Sequence, residues 1–152
     1  YSGPGDFLRN LGGIVSRAGG LPSLVRSDGV DGPFRERLML AVTGVNECRY
    51  CRWLHTRVGI LEGLTDQEVR DLGRGEFQGS PPDQIPALVY AQHWAETQGR
   101  PDPEVRRKTR QRYGTKRLRA IELVLQCIRL GNLTGNSVDA VMHRVDRKLS
   151  HA

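Results

Sequence analysis

The chain has 152 residues, 38% of them hydrophobic and 26% charged, with a formal net charge of +6 at pH 7. That length supports about one domain with a small core and requires no second one. The longest apolar stretch, Ile121 to Ile128, is broken by Glu122 and Gln126 and falls far short of the roughly 20 residues that cross a bilayer, and no secretory pattern opens the sequence at Tyr1, so a soluble protein that does not enter membranes is expected. Three cysteines are too few for a disulfide scaffold, and the close pair among them suits a reducing compartment, which makes the cytoplasm the expected location.

In chain order, Phe7, Leu8, Leu11, Ile14 and Val15 recur at helical spacing until Gly19, Gly20 and Pro22, giving a helical N-terminal segment over about 1–31. Gly32-Pro33 puts proline at a first helical position, and Phe34, Leu38, Met39, Ala41 and Val42 form an apolar face up to Gly44. Glu36 rides on this helix. Asn46 is a competent N-cap for a second helix running to Gly63, with Cys48 and Cys51 in or beside its first turn. Thr65-Asp66-Gln67-Glu68 reads as a capping box for a short helix to about Leu72, before the Gly- and Pro-rich break at 73–82. Ile85, Leu88, Val89, Ala91 and Trp94 give a helix ending by Gly99, and Asp102-Pro103-Glu104 opens another that stops at Gly114. Leu118, Ile121, Val124, Leu125 and Ile128 line one face of a longer helix, and Ser137 caps a last one through Lys148. Neither sustained alternation nor an Asn-Gly hairpin occurs, and no repeat of 20–50 residues is present. The expected fold is all-α, one domain over 1–152.

Positive charge concentrates in Arg106, Arg107, Lys108, Arg110, Arg112, Lys116, Arg117 and Arg119, with no acid among them. The simplest reading is a solvated face at the junction of two helices. Only Tyr113 interleaves the run and no nucleic-acid-reading module surrounds it, so nucleic acid is not expected as a partner.

Chemistry concentrates elsewhere, in Cys48-Arg49-Tyr50-Cys51, His55 and the upstream Glu36. On a helix the two cysteines and His55 fall at i, i+3 and i+7, within an arc of roughly 60°. A thiol attacks peroxide as thiolate, and a cysteine near a helix N-terminus with an imidazole one turn away is expected to have its pKa lowered from about 8.5. Cys51 meets both conditions. His55 is placed to take its proton, Glu36 to orient His55 or relay the proton, and Cys48 to attack a sulfenic acid at Cys51 and close a disulfide. That cycle needs no metal and no cofactor. Zinc is the competing use of these residues, with Cys48, Cys51, His55 and either Glu36 or Cys127 as ligands, but the usual second ligand pair at its own short spacing is missing. Cys127 reads as a buried small hydrophobe, His93, His143 and His151 as structural or exposed, and Tyr50 and Trp53 as packing around the site.

Arg35-Glu36, Cys48-Arg49-Tyr50-Cys51 and His55, set among helices, resemble the core signature of the alkylhydroperoxidase D-like branch of the carboxymuconolactone decarboxylase family, over about Pro33 to Leu64. The resemblance implies an alkylhydroperoxidase D-like helical bundle assembled as a trimer or hexamer. It implies an active site of Glu36, Cys48, Cys51 and His55, hydroperoxide as substrate, and an external dithiol as reductant, for which it points to a lipoyl-bearing protein. Where alkylhydroperoxidase D itself carries a second histidine just before its second cysteine, this sequence has Tyr50. Classical carboxymuconolactone decarboxylases lack the cysteine pair, which argues against decarboxylation. The expected function is therefore thiol-dependent peroxide reduction, and the alternative from another class is a non-enzymatic dithiol sensor or interaction protein.

Overall fold

The computed structural model describes residues 29–149, with side chains as far as Val138, so the helix expected within 1–31 falls outside the described residues. Among the described residues there are five helices and no strand: α1 Gly32–Asn46, α2 Arg49–Leu61, α3 Asp66–Leu72, α4 Ile85–Glu96 and α5 Pro103–Leu149. The all-α class follows. None of these helices is long and apolar enough to cross a membrane.

Local sequence sets most of the boundaries. Asp31 caps α1, its carboxylate accepting from the Phe34 N–H at 2.9 Å, with Pro33 in the first turn where a missing N–H costs nothing. Thr65 caps α3 by accepting from the Glu68 N–H at 3.1 Å. The Glu68 carboxylate is used at longer range, taking Arg37 Nε at 2.7 Å and Ser80 Oγ at 3.2 Å, and so ties α3 and the following loop to α1. Asp102 opens α5 by accepting from the Glu104 N–H at 2.8 Å. At Gly114 (φ 76°, ψ 164°) the backbone takes a conformation that glycine alone adopts easily, and α5 breaks there before resuming.

Two boundaries differ from those read in the sequence. α1 runs through Asn46 and ends at Glu47 in the left-handed region (φ 53°), so Asn46 does not cap the next helix. Cys48 does, with extended backbone and its own Sγ as acceptor. Ser137 starts no new helix either: its hydroxyl donates to the Leu133 carbonyl one turn back, and α5 continues to Leu149.

α1 is the central element, packed against α2, α3, α4 and α5. Phe34, Leu38, Leu40, Ala41 and Val42 are buried along it, against Leu88, Ala91 and Trp94 of α4 and Leu118, Ile121, Leu125 and Ile128 of α5. Each such leucine or phenylalanine contributes about 1.5–3 kcal/mol of transfer free energy. A packed helix of this kind is a rigid support for the polar residues it carries inward, Glu36 and Thr43.

Candidate active site

Glu36, Cys48, Cys51 and His55 are brought together by α1 and α2. Glu36 projects from the first turns of α1 and is 2% exposed. Its Oε2 lies 2.8 Å from His55 Nδ1, and its Oε1 accepts from Arg35 Nε at 3.2 Å. Arg35 also reaches Glu62 at 3.3 Å, so the carboxylate is held from one side by a guanidinium and from the other by the imidazole. With Nδ1 donating to Glu36, Nε2 is the ring nitrogen left to act as a base on the cavity that His55 lines. The geometry is one in which a carboxylate can orient an imidazole base.

The dithiol sits at the N-terminus of α2. Cys48 is 1% exposed and Cys51 5%, and both are free thiols. Cys48 Sγ accepts the Cys51 N–H at 3.4 Å, a sulfur performing the N-cap role usually taken by a Ser or Asp oxygen. The Cys51 thiol does not have the lowered pKa expected from the sequence. Burial, and then the hydrogen bond and charge of Cys48, push it up to about 12. Desolvation of a thiolate together with a second thiol at its side outweighs the helix N-terminus here. Cys51 is therefore held protonated at neutral pH.

A cavity of about 760 Å³ opens onto this site, and Cys51 and His55 line it together with Met39, Tyr50, Leu54, Ile128, Leu130 and Val138. Its wall is mostly apolar side chain. Cys127 lines it too and is half-buried, so it is a neighbour of the site rather than a plain core residue. Burial raises its thiol pKa as well. Tyr50 and Trp53 do not pack inward: they are 64% and 52% exposed, stacked on one another with ring centroids 6.1 Å apart, and Tyr50 touches the cavity mouth.

Two residues that the sequence reading passed over complete the site. Gly131 and Gly135, one turn apart on α5, face the thiols. A Cβ added at Gly135 would stand 2.7 Å from Cys48 Sγ and 3.8 Å from Cys51 Sγ, and one at Gly131 would stand 4.0 Å from Cys51 Sγ. Only glycine at 135 lets α5 cover the dithiol this closely. Glycine at i and i+4 on one face of a helix was the available signal.

Among the described residues no group of three or more His, Cys, Asp or Glu side chains is placed to hold a metal ion. The zinc arrangement of Cys48, Cys51, His55 and Glu36 or Cys127 is thus not assembled; His55 turns to Glu36 instead. His93 Nε2 accepts from the Asp102 N–H at 3.1 Å and fastens the α4–α5 connection. His143 and His151 lie outside the described side chains. No protein-family model matches this sequence, and no curated protein matches it.

Proposed function

We propose that the protein is a thiol-dependent peroxidase of the alkylhydroperoxidase D-like type, reducing hydroperoxides through a Cys48–Cys51 dithiol and disulfide cycle. The observation that carries this reading is the buried Glu36–His55 pair at 2.8 Å beside a free CxxC dithiol on a shared cavity. Because Cys51 is held protonated, His55 supplies the chemistry that the thiol lacks. Nε2 takes the Cys51 proton, the thiolate attacks the distal peroxide oxygen, and the O–O bond breaks to give a sulfenic acid and an alkoxide that recovers the proton from His55. Cys48 then attacks the sulfenic sulfur, water leaves and a disulfide forms. An external dithiol returns both thiols with two electrons and two protons.

Cys51 is the nucleophile because it lines the cavity and stands one turn before His55; Cys48, enclosed behind it, resolves. Tyr50, where alkylhydroperoxidase D has a second histidine, stands exposed at the cavity mouth, so the proton path runs through His55 and Glu36 alone. A cytoplasmic location and a trimer or hexamer belong to the same reading, and light scattering at micromolar concentration checks the assembly, a monomer counting against the family. The deciding experiment is steady turnover of an organic hydroperoxide with a supplied dithiol. An enzyme turns over many times. A dithiol sensor oxidises once and stops.

A further inference from the structure

Opposite its catalytic face, α2 exposes a surface that the proposed cycle does not use. Arg49, Ile60, Trp53, Arg57 and Tyr50 fall within about 100° of the helix circumference, with Arg52 flanking them, and all six are exposed. Arg57 lies over the Trp53 ring, 4.7 Å from its centroid, and Tyr50 stacks on Trp53, so two aromatic rings and a guanidinium are already ordered in the free protein. Beside them is a hollow of about 720 Å³ lined by Glu47, Arg49, Arg52, Trp53, Thr56 and Arg57. No acidic residue occurs from Arg49 to Leu61. Exposed tryptophan, tyrosine and arginine in one patch are the residues that carry binding energy at protein interfaces. The patch meets the cavity at Tyr50.

We propose that this face of α2 docks an acidic surface of the protein that carries the reducing dithiol, an inference that rests on the peroxidase reading above. A second copy of this chain fits the face poorly. A two-fold contact centred on this face would set Arg52 and Arg57 near their own counterparts, and a three-fold contact would set them against another part of a chain that as a whole carries +6. An acidic partner instead neutralises the arginines, covers Trp53 and brings its thiols to the mouth at Tyr50. From there one partner thiolate attacks Cys51 Sγ, the disulfide breaks, and Cys48 leaves as a thiolate that takes up a proton. The partner's second thiol then attacks the mixed disulfide and releases Cys51, leaving the partner oxidised by two electrons.

The test uses the whole chain, oxidised to the Cys48–Cys51 disulfide with diamide so that it is independent of peroxide turnover. Its re-reduction is timed with dithiothreitol and with two dithiol peptides identical except for four flanking glutamates or four flanking lysines. The acidic peptide should react about tenfold faster than the basic one at low salt, and the gap should close near 0.5 M salt. Arg52→Glu with Arg57→Glu should remove or invert the preference, the Gln pair should give an intermediate result, and dithiothreitol should reduce all of them equally. Arg110→Glu with Arg112→Glu, on the basic stretch of α5, should leave the preference intact. Equal peptide rates, a preference that survives Arg52→Glu with Arg57→Glu, or a smaller assembly for Trp53→Ser in light scattering would overturn the docking proposal. A disulfide that forms with diamide but never with hydroperoxide would instead sink the peroxidase reading alone, and failure with both oxidants would sink the two together.

Discussion

Two buried glutamates with different partners contrast the proposed chemistry with architecture in this protein. Glu122 on α5 accepts Arg106 Nε and Nη2 at 2.6 and 2.9 Å and the Tyr90 hydroxyl at 2.7 Å. Its partners are an always-charged guanidinium and a phenol whose pKa is pushed up by burial and by Glu122 itself, so neither exchanges a proton near neutrality. Glu36 is buried to a similar degree, yet its principal partner is an imidazole, and that imidazole lines a cavity with a thiol. Burial alone does not mark a site. The titratable partner and the nearby nucleophile do.

Substituting each carboxylate in turn sharpens the contrast. Glu36→Gln keeps an oxygen for His55 Nδ1 but removes the charge that supports a protonated imidazole, so the peroxide-dependent oxidation rate should fall by about 10²-fold with little change in melting temperature. A rate within threefold of wild type would place Glu36 with Glu122 as a structural group. Glu122→Ala should do the reverse: the Tyr90 hydroxyl is left buried without its acceptor, at a cost of about 2 kcal/mol in chemical denaturation, while the oxidation rate of the folded protein holds. Arg106 is partly exposed and can turn to water, which keeps that loss below what an enclosed ion pair would show.

The same two regions differ in how far the sequence disclosed them. Cys48, Cys51 and His55 are legible as a group because the helix period along α2 fixes where their side chains go, whereas Glu36, on α1, is raised only by its spacing from Cys48 and by the family resemblance. Most helix starts are legible through Pro33, Asp102 and Thr65 for the same local reason. Arg106 was not: it reads as one of a run of solvated cations until the break at Gly114 turns the first part of α5 back toward the second and brings Glu122, 16 residues on, beside it. Gly44 misleads in a related way. It resembles a helix stop, but it lies inside α1, at a point where a Cβ would meet the Gly73 carbonyl oxygen at 2.8 Å. Ser137 is a local ambiguity, since a hydroxyl caps a new helix or back-bonds within an old one with equal ease. The Cys51 pKa could not be read from neighbours along the chain at all, because its principal cause is burial, which depends on how the helices pack.

A smaller effect follows from that thiol. Burial and Cys48 raise its folded-state pKa above the ordinary value of 9.0 to about 12, so the folded protein keeps this proton longer than the unfolded chain does. The associated stability is intact below about pH 9 and is lost as pH rises toward 12. Urea midpoints followed from pH 8 to 10 should therefore fall more steeply for wild type than for Cys51→Ser. Parallel slopes would mean that the thiol is not held protonated by the fold.

The central claim is that Cys51, served by His55, meets peroxide and that Cys48 resolves it. Cys48→Ser isolates the first step, and a serine at the N-cap still accepts the Cys51 N–H, so the start of α2 is preserved. Treated with one equivalent of hydroperoxide and then dimedone, Cys48→Ser should carry the label on Cys51, excess peroxide should drive that cysteine to sulfinic acid, and Cys51→Ser should carry no label. Label on Cys48 in Cys51→Ser, with none on Cys51 in Cys48→Ser, would contradict the account and exchange the two roles.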